Sequence, residues 1–130
     1  MKHAVSISLG SSKRDKRAEI NLLDQRVLIE RIGTDGDMEA AAQLFREMDG
    51  KVDAFGLGGT DLGVLIDGQM YPLFSIHPMI RYVEQTPLVD GSGLKNTLEN
   101  LALPALMTHL GEQMGPKRAF IVSGAERWGL

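Results

Sequence analysis

Four stretches of this chain place small polar residues where an apolar run ends: Gly10-Ser11-Ser12, Gly58-Gly59-Thr60-Asp61, Asp90-Gly91-Ser92-Gly93 and Ser123-Gly124. Glycine lets a backbone come close to a ligand, hydroxyls and free N–H groups donate to an oxyanion, and carboxylates accept from hydroxyls or water. If the preceding runs are parallel strands, these loops converge at their carboxyl ends, where open α/β sheets bind ligands. Such loops also need glycines and caps for purely structural reasons, so both readings stand. Asp90-Gly91-Ser92-Gly93-Leu94-Lys95 is the best single candidate. The free N–H groups of a helix start, with Lys95 one turn in, suit a phosphate or carboxylate; the plainer alternative is that Ser92 caps the helix. Ser11 and Ser12, followed by Lys13 and Arg14, make a second anion loop or a solvated one.

Several chemistries are excluded or left without support by the same residues. Gly56-Leu57-Gly58-Gly59 is not a dinucleotide fingerprint, because the spacing needs glycine at position 61, which is Asp61. No Walker loop is present. Ser8-Leu9-Gly10-Ser11-Ser12 matches the glycine and hydroxyl positions of an actin-like phosphate loop, but Ser8 stands where that loop carries its metal-organising aspartate. His3, His77 and His109 show no paired metal spacing, and no resident metal is expected. Asp35, Asp61 and Asp90 would form a carboxylate cluster suited to a divalent cation if their loops met. No catalytic residue is identified.

The 130 residues fit one domain. A net charge of −3, with no basic stripe, argues against binding of nucleic acid or an anionic membrane through bulk charge. With no cysteine, the chain has neither disulfides nor thiol chemistry, which fits the reducing cytoplasm. Met1–Val5 opens no long apolar run or cleavage pattern, so no signal peptide is expected, and the longest stretch free of Lys, Arg, Asp and Glu, Gly68 to Ile80, carries Pro72 and Pro78 and is too short to span a bilayer.

The elements that would position the loops follow from periodicity. His3–Leu9, Ala18–Leu23 and Arg26–Ile32 read as strands, the last two joined at Asp24-Gln25, giving an antiparallel three-strand meander. Asp35 or Asp37 caps a helix whose apolar face is Met38, Ala41, Ala42, Phe45 and Met48, ended by Gly50. Val52–Leu57 is the central strand. Gly63–Phe74 is a hairpin turning at Asp67-Gly68, and Ser75–Gln85 is a short helix with Pro78 in its first turn. Thr86–Val89 is a strand, Leu94–Met114 a helix kinked or broken at Pro104, and Arg118–Val122 a last strand. The fold class is α/β: a mixed sheet that opens with the meander, continues by strand–helix alternation and has helices on both faces, an order shared with ribonuclease-H-like and actin-like domains. A final strand followed by six residues that include the one tryptophan, Trp128, points to the N-terminal part of a longer protein.

Val5–Asp15, Glu30–Asp37, Asp53–Leu62 and Thr86–Glu99 together resemble the N-terminal part of a bacterial family labelled quinate 5-dehydrogenase. Val122–Leu130 resembles that family's junction into a Rossmann-like region. The resemblance implies an oxidoreductase acting on a cyclic hydroxy acid, with NAD or NADP bound only by a further C-terminal region and little activity in this part alone. The chain lacks the asparagine- and threonine-rich substrate motifs and the paired Lys/Asp pattern of shikimate and quinate dehydrogenases. The expected partner is a small anionic molecule, held by Ser11, Ser12, Gly58, Gly59, Thr60, Asp61, Asp90, Gly91, Ser92, Gly93 and Lys95, with a homo-oligomer or a C-terminal domain as the macromolecular partner. A non-catalytic ligand-binding or assembly domain, and a metal- or phosphate-dependent ribonuclease-H-like or actin-like enzyme, are the alternatives.

Overall fold

The strand at the centre is Lys2–Ser8 (β1), where Val5 and Ile7 are fully buried on one face. The computed structural model describes residues 1–111 together with Arg118 and Phe120. The strand expected over residues 118–122 is described only at those two positions, and Ser123, Gly124 and Trp128 lie outside the described residues. After β1 come β2 (Lys16–Leu22), β3 (Gln25–Gly33), α1 (Met38–Met48), β4 (Ala54–Gly58), β5 (Gly63–Ile66) and β6 (Gln69–Pro72). The chain continues with α2 (His77–Ile80), β7 (Leu88–Val89), α3 (Ser92–Leu98) and α4 (Ala102–Leu110). These divide into two units. The first comprises Met1–Leu62 and Leu73–Asp90; the second comprises Gly63–Pro72 and the chain from Gly91.

In the first unit the sheet order is β2-β3-β1-β4-β7. It is the mixed α/β sheet expected, with one correction. Antiparallel pairing holds for β2 and β3, but β1 pairs in parallel with both β3 and β4, so the opening strands are not a meander. The reason is burial. β3 contributes buried Leu28 and half-buried Ile32, which belong beside β1, whereas all seven residues of β2 are exposed and suit an edge. The antiparallel three-strand start behind the ribonuclease-H-like and actin-like comparison is therefore absent. The β2–β3 turn also sits one residue earlier than expected, at Leu23-Asp24, with φ of 48° and 60°, the left-handed pair that a two-residue hairpin with the sheet's twist requires.

The core lies on one face of this sheet, and α1 and α2 both pack there, where helices on both faces were expected. Val5, Ile7, Phe55 and Leu57 from the strands meet Ala41 and Phe45 of α1 and Ile76 and Met79 around α2. Phe45 and Phe55 meet edge to face, with ring centroids 4.9 Å apart. Helix α1 forms where its apolar stripe was read. Asp37, not Asp35, caps it, accepting from the Ala40 N–H at 2.9 Å.

Helix α2 is much shorter than the expected Ser75–Gln85, and Asp49 explains why. Its carboxylate accepts the backbone N–H groups of Glu84, Gln85 and Thr86 at 2.8 to 3.2 Å, and the Thr86 hydroxyl accepts from Gly50 N at 2.8 Å. The end of α1 thus seizes the chain that would have continued the helix and turns it into β7. Partial burial raises the Asp49 pKa, but the bonds from Thr86, Glu84 and Gln85 outweigh it and hold the carboxyl below its usual value. A depressed folded-state pKa adds stability that is complete above the unfolded carboxylate value of about 3.9 and is lost as pH falls through the folded value. Asp49→Asn should lower the melting temperature by several degrees near neutral pH. That gap to wild type should close as pH falls through the depressed folded value, as thermal melts across a pH series will report.

In the second unit β5 and β6 form the expected hairpin. Asp67 and Gly68 carry φ of 49° and 76°. The helical stretch after Gly91 is interrupted, as Pro104 implied. A 3-10 segment, Glu99–Leu101, separates α3 from α4, and Pro104 falls in the first turn of α4, where no N–H is required of it. Among the described residues no helix is long and apolar enough to cross a membrane.

Candidate functional site

The first unit brings the ends of β1, β3 and β4 side by side, and Ser8 lies at their centre. It is 3% exposed, and its hydroxyl accepts from Gly10 N at 3.0 Å and from Arg31 Nη2 at 3.1 Å. Arg31 is the organiser. Its Nη1 donates to the Ser11 carbonyl at 3.0 Å and to Asp15 at 2.8 Å, and the same Asp15 oxygen accepts from Gly33 N at 2.7 Å. The main chain of the β3 exit closes on the β1 exit as well: Thr34 N donates to Ser8 O, Gly36 N to Leu9 O and Asp35 N to Gly10 O.

Ser11 and Ser12 are engaged inside this network. Ser12 gives its N–H and its hydroxyl to the two oxygens of Asp35, at 2.9 and 2.6 Å, and the Ser11 hydroxyl accepts from Lys13 N. The loop thus holds an anion that the chain itself supplies. The Ser12 hydroxyl first, then its N–H, keeps the Asp35 carboxyl below its ordinary value. Gly58 and Gly59 line no open cradle. A Cβ on Gly58 would stand 2.6 Å from that of Ser8, and one on Gly59 would stand 3.1 Å from Gly10 N; Leu9 N also bonds Gly58 O. These glycines let β4 and its exit lie against β1. Thr60 and Asp61 follow, both half-buried, and Asp90 accepts from Leu62 N at 2.7 Å, tethering the β4 exit to the end of β7. The cluster envisaged for Asp35, Asp61 and Asp90 does not assemble: among the described residues no three His, Cys, Asp or Glu gather to hold a metal ion.

In the second unit, Gly91 occupies the N-cap of α3 with φ of 81°, and Ser92 is the first helical residue rather than the cap. Gly93 has open space where a Cβ would be, and Lys95 lies in the last turn of this seven-residue helix.

Sequence reasoning passed over Arg31 and Asp15. The signal was present in β3: Glu30-Arg31 interrupts the apolar alternation of a strand that has neighbours on both sides, a place where charge needs a partner. Beside Arg31 comes Arg14. A Cβ on Gly10 would stand 2.5 Å from Arg14 Nη2 and 3.0 Å from Arg31 Nη2, so both guanidinium groups reach one glycine at the end of the central strand. Arg31 is balanced by Asp15; among the described residues nothing pairs with the Arg14 guanidinium. A shallow hollow of about 290 Å³, with walls that include Asp15, Lys16 and Arg31, adjoins. A larger one of about 490 Å³ lies at the amino ends of the strands, where Lys2 and Asp53 already pair at 2.6 Å.

A family model described as Domain of unknown function (DUF8753) matches residues 3–90. The chain belongs to this family. No curated protein and no solved structure matches the chain. The DUF8753 stretch takes in every member of the Ser8–Arg31 network and Arg14, together with Asp90, whereas Gly91, Ser92, Gly93 and Lys95 follow it.

Proposed function

We propose that this DUF8753 domain binds a small carboxylate or phosphate at the carboxyl ends of β1 and β3. The observation that carries the reading is the meeting of Arg14 and Arg31 at Gly10. Guanidinium groups stay charged and present forked donors that match an oxyanion, and one of these two has no partner among the described residues. On the resemblance to the quinate 5-dehydrogenase family, the ligand would be a cyclic hydroxy acid and the domain the substrate side of an oxidoreductase; the absence of cysteine fits the reducing cytoplasm. A nicotinamide cofactor would require a loop other than Gly56–Asp61.

Thermal shift of the full chain with quinate, shikimate, inorganic phosphate, NAD and NADP tests this, since a ligand that binds only the folded state raises the melting temperature. Quinate or shikimate should stabilise the protein. Arg14→Gln, at an exposed position, should weaken that binding roughly ten- to a hundredfold, the range for losing one charged hydrogen-bond partner. A response to phosphate alone would keep the oxyanion site and remove the hydroxy acid. No response to any of the anions, or an undiminished response in Arg14→Gln, would overturn the proposal.

A further inference from the structure

The five-stranded sheet has two edges of very different kinds. β7 is two residues long, whereas β2 runs for seven and, among the described residues, bonds β3 on one side only, in an unbroken register from Lys16 to Leu22. It has no proline or bulge to blunt it, and every one of its residues is exposed. A row of unpaired N–H and C=O groups of that length is a template for another strand.

The side chains of β2 identify the strand that fits. We propose that β2 pairs antiparallel with β2 of a second copy, about a two-fold axis at Ala18, joining two sheets into one. In that register Arg17 stands opposite Glu19 of the other copy, and the pair occurs twice by symmetry. Arg17 has no partner among the described residues, and Glu19 is exposed with a single ion pair to Arg26 at 2.7 Å. Lys16 falls opposite Ile20, which is 40% exposed, so its aliphatic stem covers an isoleucine that the single chain leaves wet. Ile29, adjacent to Ala18 in the sheet and 43% exposed, lies on that same face. The neighbouring two-fold registers fit worse. An axis at Glu19 sets two glutamates against each other, and an axis at Ile20 leaves Arg17 opposite the turn residue Leu23.

The chain has no cysteine, so single introduced thiols map the pairing directly. Residues opposite each other across an antiparallel pair have Cα atoms about 4.5–5.5 Å apart, within disulfide reach. Under mild oxidation, Ala18→Cys in the full chain should give a covalent species of twice 14.2 kDa at least about tenfold faster than Asn21→Cys, whose counterpart lies some six residues along the strand. By sedimentation, Arg17→Glu should weaken the dimer about tenfold, and the double variant Arg17→Glu/Glu19→Arg should restore it. The proposal falls if wild type sediments as a monomer at a few hundred micromolar. It falls equally if Arg17→Glu, folded by circular dichroism, dimerises as wild type does, or if Asn21→Cys cross-links as fast as Ala18→Cys.

Discussion

Phe45→Ala should lower the unfolding free energy of the first unit by about 3–5 kcal/mol, read as a shift in the urea midpoint at constant slope. Phe45 is fully buried on α1, and its ring meets Phe55 of β4 edge to face. Truncation removes the largest link between the helix and the central strands, and Val5, Ile7 and Met79, themselves fully buried, are fixed by their own elements and cannot collapse into the gap. For a unit of this size that is a large share of the total stability, and the melting temperature should fall on the order of 20 °C. Phe45→Leu keeps most of the volume and should cost less than half as much. Phe74 makes the contrast. It is 69% exposed and touches the His77 ring at its edge, so Phe74→Ala should cost under about 1 kcal/mol. Equal losses at the two phenylalanines would mean that the face built by α1 is not the core.

That core was legible in the sequence because it rests on local periodicity. Met38, Ala41, Ala42, Phe45 and Met48 recur at helical spacing, and Asp37 and Gly50 mark the ends chemically. The Asp67-Gly68 hairpin and the break before Pro104 were legible for the same reason. What was not legible depends on partners distant in the chain. Whether β1 takes β2 or β3 as its neighbour is decided by which strand can afford exposure, and α2 stops where it does because Asp49, some 35 residues earlier, takes three N–H groups. The strand-end loops were found by composition, but their roles were not. A Gly-Ser-Ser loop reads identically whether its donors face a ligand or, as with Ser12 and Asp35, a carboxylate from the same chain. The decisive cation, Arg31, lay inside a strand, outside any loop motif.

Gly33→Ala should then be among the most damaging single methyls in the site. A Cβ at Gly33 would stand 2.7 Å from Gly10 O, Ser11 C and Ser11 O. These are main-chain atoms, held by Asp35 N, by Arg31 Nη1 and by the 3-10 turn that follows, so no rotamer change relieves the overlap. The β1 exit has to move away from β3, and it carries Arg14 with it while Arg31 remains on its strand. Overpacking of this kind costs about 1–3 kcal/mol in stability. The effect on anion affinity should be larger than that loss implies, more than tenfold, because the two guanidinium groups no longer meet at one point. Gly93→Ala is the matched control: its Cβ enters open space and its position in α3 favours alanine, so it should be neutral or slightly stabilising. If Gly93→Ala abolished anion binding while Gly33→Ala left it intact, the binding loop would be the one at the start of α3. The reverse result assigns it to the exits of β1 and β3, where the chain has already built a seat for one carboxylate and where Arg14, beside it, has no partner among the described residues.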